Sequence, residues 1–130
     1  MNYGLVAVTL VFSMVSGGAF ATGAIECNDP EGQASVNLTI GSLPILAVVG
    51  AQISAGDQQW AIGGEGENAI ISGQAFQAPG EMRIDFTDPN VERVMAEVRL
   101  FSASEDKDSV LAGTLRIADV GAYALVCAGP

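Results

Sequence analysis

The side chains that most often carry enzyme chemistry are scarce in this sequence. It contains no histidine, which excludes Ser-His-Asp and Cys-His catalysis, imidazole metal ligation and an imidazole pH switch from within the chain. Its one lysine, Lys107, lies in an acidic segment that offers no partner for Ser-Lys or Schiff-base chemistry. We therefore expect no nucleophilic catalysis. No cofactor is predicted either, because the glycine-rich segment 63–66 lacks the lysine and helix of a phosphate-binding loop.

Paired carboxylates are the remaining candidates for acid-base chemistry. Asp85 with Asp88, or Glu65 with Glu67, would supply the acid and the base that a glycosidase requires. However, few aromatic residues are available to form a sugar-binding platform. Asp85 and Asp88 are also more typical of residues that organise a turn, here the one around Pro89. We therefore expect a protein that is not an enzyme.

Two groups of acidic and amide side chains carry the oxygen atoms that calcium prefers. Neither group has the regular ligand spacing of an EF-hand loop, so the sequence favours solvated surface loops and predicts no metal site. The groups are Asp57, Glu65, Glu67 and Asn68, and Glu105, Asp106 and Asp108.

The charge balance limits the classes of partner. Fifteen acidic residues against five basic ones give a net charge of −10 at pH 7. An anionic surface repels nucleic-acid phosphates and anionic membrane headgroups, so neither is an expected partner. The same charge would accelerate encounter with a cationic protein, although it also serves solubility. The sequence does not indicate an oligomeric state.

The first 21 residues predict a cleavable signal peptide. Residues 4–16 are uncharged and mainly apolar, and the small-residue pattern Ala19-Phe20-Ala21 follows them. The absence of lysine and arginine from Met1-Asn2-Tyr3 departs from the usual pattern. A transmembrane anchor is the weaker alternative, because a bilayer span takes ~20 apolar residues. We expect residues 22–130 to form a single β-rich domain that is periplasmic or secreted, with no membrane span after cleavage.

Cys27 and Cys127 are the two cysteines of the chain and bracket nearly all of the predicted mature domain. In an exported protein they lie in an oxidising compartment, so a disulfide between them is predicted. A bond that closes a loop of about 100 residues stabilises a fold by ~4.7 kcal/mol on the chain-entropy model. Two independent thiols, or a metal site built from two cysteines without histidine, are the weaker alternatives.

Short strand patterns separated by turn residues recur along the mature chain. Gly50 predicts a bulge in one strand, and the glycines of segment 63–66 predict a loop. Most of the five aromatic residues of this region are expected in the core. Seven or eight strands are typical of a small antiparallel β-barrel or sandwich, and the sequence does not decide between the two. The predicted strands are 35–41, 45–53, a weaker one containing Trp60 and Ile62, 69–77, 81–86, 95–103, 110–117 and 123–127.

The segment after the turn at Pro89 fits two patterns. Val94 and Val98 have helical spacing, whereas Val98 and Leu100 have strand spacing. Because the β-branched and aromatic residues around Val98 favour a strand, we predict one helical turn over 89–93 followed by a strand over 95–103.

A small exported β-barrel with a terminal disulfide resembles the periplasmic and membrane-bound lysozyme inhibitors, and the segment Ser72-Gly73-Gln74-Ala75-Phe76 resembles their motif. In that family a Ser-Gly pair leads to an aromatic residue that plugs the lysozyme cleft. This sequence lacks the family's lysine and has Phe76 in place of tyrosine, and the resemblance covers only these five residues and the general layout. It implies that Ser72, Gly73 and Phe76 contact a cationic lysozyme. An envelope-associated structural protein is the alternative that the sequence leaves open.

Overall fold

The computed structural model describes residues 23–41 and 44–129, so the predicted signal peptide lies outside the described residues. Within those two ranges the chain forms nine strands and one 3₁₀ turn, at Gly66–Asn68. The predicted all-β class is therefore confirmed. In chain order the strands are β1 (Gly23–Asn28), β2 (Ala34–Ile40), β3 (Val48–Ala55), β4 (Gln58–Ile62), β5 (Ala69–Ala78), β6 (Glu81–Thr87), β7 (Val94–Glu105), β8 (Asp108–Ile117) and β9 (Gly121–Ala128).

The strands form a closed barrel in which each strand pairs with the next and β9 pairs back with β1. Eight of these neighbouring pairs are antiparallel, and β4 with β5 is parallel. Alternating directions cannot close a ring that has an odd number of strands, so one parallel pair is required. The structure thus selects the barrel over the sandwich and corrects the expectation of a wholly antiparallel arrangement.

Two local predictions were wrong. Strand β1 was missed because it is only six residues long and directly follows the predicted cleavage site. The predicted helical turn over 89–93 is a non-helical turn instead, in which Val91 has a positive φ of 58°. The strand that follows runs from Val94 to Glu105, which settles the ambiguous segment as β-structure. Strand β3 is bulged, as predicted, but the extra residue is Val49 and not Gly50, which pairs with Thr39.

The core fills the barrel, because alternate residues of each strand point inward. The largest fully buried side chain is Phe86, and Trp60 is also buried. Most of the five aromatic residues belong to the core, as predicted, because Trp60 and Phe86 are buried and Tyr123 packs against the core while partly exposed. Phe76 and Phe101 are the exceptions, at 53% and 54% exposed on the outer wall. Each fully buried large apolar side chain stabilises the fold by about 1.5–3 kcal/mol. Other fully buried core residues are Ile25, Leu38, Ile53, Ile70, Ile84, Leu100, Leu115 and Leu125.

The predicted disulfide between Cys27 and Cys127 is present. The two cysteines lie directly opposite each other on β1 and β9, the pair of strands that closes the barrel. Only three residue pairs form this part of the ladder, against six between β1 and β2. The covalent bond therefore reinforces the shortest antiparallel pairing of the barrel. No helix in the described ranges is long and apolar enough to cross a membrane.

Candidate binding surface on strand β5

Strand β5 has one edge that is mostly unpaired. It pairs with β6 along Ile71–Ala78, but it pairs with β4 only through Ala69 and Ile70. The reason is that β4 ends at Ile62, which pairs with Ile70, the second residue of β5. Over residues 71–78, the side of β5 away from β6 therefore has no neighbouring strand within the described part of the chain.

The register of β5 with β6 identifies the backbone groups that face this open edge. The two-residue turn Pro79-Gly80 joins the strands, and Ala78 pairs with Glu81 next to it. In such a hairpin the pair next to the turn is joined by backbone hydrogen bonds, and hydrogen-bonded and non-hydrogen-bonded pairs then alternate along the two strands. Ala78 and Phe76 are therefore hydrogen-bonded to β6, whereas Ala75 and Gln77 are not. The N–H and C=O groups of Ala75 and Gln77 therefore point away from β6. Neither residue takes part in a turn or loop backbone hydrogen bond within the described chain.

The predicted motif residues Ser72, Gly73 and Phe76 all lie on β5. The register shifts between Ser72 and Ala75, which makes Gly73 and Gln74 a bulge. Glycine is favoured at position 73 because a Cβ there would lie 3.0 Å from the Asp85 carbonyl oxygen, which is closer than an ordinary contact. The bulge separates the motif into two parts: Ser72 is half-buried opposite the core residue Phe86, whereas Phe76 is exposed.

Phe76 lies between two surface depressions. One, of about 520 Å³, is a groove between residues 75–80 and the loop segment Pro44-Ile45-Leu46. Ile45 is 77% exposed in this groove. The other, of about 330 Å³, is lined on its far side by Arg99. The surface around Phe76 thus offers apolar side chains and unpaired backbone next to each other.

Ser72 and Gly73 line a third depression, of about 560 Å³. Its opposite wall is the turn before β7, where Val91 is 66% exposed and Val94 is 37% exposed. This apolar wall was not predicted as part of a site, since the sequence showed only an ambiguous helix or strand there.

Every arginine of the chain lies against a carboxylate. Four carboxylates are taken up in this way, so eleven of the fifteen acidic residues and Lys107 form no ion pair with another described residue. The net charge of −10 is therefore carried by carboxylates that no arginine neutralises. The pairs are Arg83 with Glu81 at 2.5 Å, Arg93 with Asp119, Arg99 with Asp85 at 2.8 Å, and Arg116 with Glu97 at 2.5 Å.

Asp85, a candidate catalytic carboxylate, is held by a cation on the outer wall. Its Oδ1 lies 2.8 Å from Nη1 of Arg99. That nitrogen donates its hydrogen bonds to the carbonyl oxygens of Ile84 and Val98, at 3.3 and 3.0 Å. Asp85 Oδ1 is buried and accepts no hydrogen bond, so its contact with Arg99 is an attraction of opposite charges without a directed bond. The structure thus assigns Asp85 to an ion pair and not to the predicted turn.

Asp88 does organise the turn, as predicted. Its Oδ1 accepts hydrogen bonds from the backbone N–H groups of Glu92 and Arg93, both at 2.8 Å. These bonds hold the chain that leads into β7. Asp85 and Asp88 therefore have separate roles, one on the wall and one in the turn.

Glu97 and Arg116 form a cross-strand pair between β7 and β8. The Arg116 Nε donates to Glu97 Oε2 at 2.5 Å, and this hydrogen bond lowers the pKa of Glu97 below its usual value. The same bond raises the pKa of Arg116. Arg99 also approaches Glu97, at 3.7 Å, so the outer wall carries a short ladder of alternating charges.

Glu65 and Glu67, the other carboxylates predicted as an acid-base pair, are separated by the start of the 3₁₀ turn. Glu67 lies within the turn and Glu65 precedes it. Among the residues that the structure describes, no group of three or more aspartate, glutamate, cysteine or histidine side chains is placed to hold a metal ion.

Comparison of the chain with protein families, with curated proteins and with solved structures finds no match.

Proposed function

We propose that this chain is an exported, non-enzymatic protein-binding module whose partner is a cationic protein, such as a hydrolase of the lysozyme type. The contact is made by β5 through Ser72, Gly73 and Phe76. The observation that carries the proposal is an exposed aromatic residue on an open strand edge, in a protein whose unneutralised charge is almost entirely acidic.

Phe76 has the properties of an interface anchor. Its side chain is 53% exposed, so docking against a partner would bury apolar surface that folding leaves in water. Because full burial of a phenylalanine is worth about 1.5–3 kcal/mol, covering the exposed half contributes about 1 kcal/mol or slightly more. Aromatic residues, phenylalanine included, are enriched in the buried cores of protein interfaces.

The acidic charge supports a cationic partner through long-range attraction. Each arginine is already neutralised, so a positively charged protein meets few competing cations. Such attraction raises the association rate and is screened when the ionic strength shortens the Debye length to about 8 Å or less. The proposal therefore includes a strong dependence of the association rate on salt.

The test is binding to purified lysozyme, measured by calorimetry, together with the rate of cell-wall lysis. We expect micromolar or tighter binding that weakens with salt and slows lysis. Phe76→Ala should weaken binding about tenfold, which corresponds to 1.4 kcal/mol, and Ser72→Ala should also weaken it. The matched control is Phe101→Ala, because Phe101 has almost the same exposure on β7.

The possible results separate the alternatives. No binding at micromolar protein would overturn the lysozyme-type partner and leave the envelope-associated structural role as the alternative. An equal loss in Phe76→Ala and Phe101→Ala would contradict the assignment of the contact to β5. A loss confined to Phe101→Ala would move the contact to the outer wall of β7 and β8.

A further inference from the structure

We infer that the partner binds by adding an extended segment to the free edge of β5, where it forms main-chain hydrogen bonds with Ala75 and Gln77. This inference rests on the proposed function and specifies how the same site works. In this mode, main-chain hydrogen bonds supply affinity, and pockets for alternate side chains supply specificity.

From Ala75 to Ala78 the free edge lacks the features that usually protect one. Exposed strand edges are commonly blocked by charged side chains or proline, because unpaired N–H and C=O groups can pair with another chain. Residues 71–78 contain neither a charged residue nor a proline. The bulge at Gly73 and Gln74 disturbs the first half of this edge. From Ala75 to Ala78 the register with β6 is regular, so that stretch can accept a strand.

The groove beside this stretch has room for an added segment. A neighbouring strand lies about 4.7–4.9 Å from β5 in the hydrogen-bonding direction. The groove of about 520 Å³ lies on that side, between β5 and the segment Pro44-Ile45-Leu46. Ile45 and Phe76, both more than half exposed, would contact the apolar side chains of the incoming segment.

Charge identifies the occupant. A second copy of this chain would also carry −10, so two edges approaching each other would repel. A segment that alternates apolar residues with lysine or arginine would present its apolar face to Ile45 and Phe76, and its cations would be attracted by the net negative charge of the protein. The occupant is therefore an extended, cationic segment of another protein.

The probe is a capped seven-residue peptide of alternating lysine and valine, with a control in which glutamate replaces every lysine. Both are titrated calorimetrically into the oxidised protein, and amide exchange is followed by NMR. We expect the lysine peptide to bind and to slow exchange at Ala75 and Gln77, whereas the glutamate peptide should not bind.

Two variants at one position separate backbone from side-chain recognition. Gln77→Pro removes an outward N–H group while leaving the hydrogen bonds to β6, and proline is tolerated at strand edges. It should weaken peptide binding at least tenfold. Gln77→Ala keeps the N–H group and should bind within twofold of the wild type. Thermal unfolding checks that both variants fold.

Equal binding by Gln77→Pro and the wild type would overturn strand addition. If Gln77→Pro does not fold, the exchange experiment decides, because unchanged exchange at Ala75 and Gln77 in the bound wild type is incompatible with an added strand. Lysozyme binding without peptide binding would overturn the inference but leave the proposed function. Peptide binding without lysozyme binding would overturn the lysozyme-type partner of the proposed function but leave the inference of strand addition. A concentration-dependent dimer that blocks the peptide would identify a second copy as the occupant and overturn the inference.

Discussion

Removing the disulfide between Cys27 and Cys127 should destabilise the barrel by about 3–5 kcal/mol. The bond joins residues separated by 100 positions, and the chain-entropy model gives about 4.7 kcal/mol for a closed loop of that length. Residual structure in the unfolded chain reduces this value, which sets the lower end of the range. The noncovalent part of the closure between β1 and β9 is only three residue pairs long, so it compensates little.

The measurement is urea unfolding of the oxidised wild type and of the double variant Cys27→Ala/Cys127→Ala. With an m-value of about 2 kcal/mol/M, the expected loss lowers the unfolding midpoint by about 2 M. Reduced wild type should unfold close to the double variant, and reductant should not shift the variant itself. A stability difference below about 1 kcal/mol would refute the argument that the bond fastens the barrel closure.

Three further changes test other parts of the structure. Gly113→Ala would place a Cβ 1.7 Å from the Arg99 carbonyl oxygen. It should therefore lower the free energy of unfolding, measured by chemical denaturation, by about 3 kcal/mol or more. Gly41→Ala is the control, because a Cβ there meets only ordinary contacts and should cost far less. Glu97→Gln should lower stability at pH 7 by under about 1 kcal/mol, since the ion pair is on the surface. Because the folded pKa of Glu97 lies below 4.5, that difference should be lost as the pH falls through the folded pKa, and a constant difference down to pH 2 would contradict it. Asp88→Ala removes two turn hydrogen bonds and should cost about 1–2 kcal/mol in the same assay. Asp88→Asn keeps a side-chain oxygen that can accept both bonds, so an equal loss in that variant would contradict this explanation.

Much of the fold is predictable because the signals are local. Alternating residues and turns located eight of the nine strands, within a few residues of their observed ends. The pairing of Cys27 with Cys127 followed from there being only two cysteines in a chain predicted to be exported. Strand β1 was missed because Ile25 and Cys27 give too short an alternation to distinguish it from a linker.

The candidate site depends on nonlocal pairing, which the sequence does not reveal. Ser72 and Phe76 were placed correctly on a strand, but the free edge beside them exists because β4 ends at Ile62 and runs parallel to β5. Nothing in the local pattern indicates that direction. Ile45 was predicted within a buried strand, yet it lies outside β3 and is exposed next to the edge. The one local signal for the open edge is the run of uncharged residues over 71–78.

The most direct test of binding through β5 is the amide-exchange footprint of lysozyme on the oxidised protein. We expect slower exchange over residues 71–78 in the complex, strongest at Ala75 and Gln77, with little change over β7, β8 and β9. Protection confined to the outer wall of β7 to β9, or no protection at saturating lysozyme, would contradict the claim that β5 is the binding surface for a cationic protein.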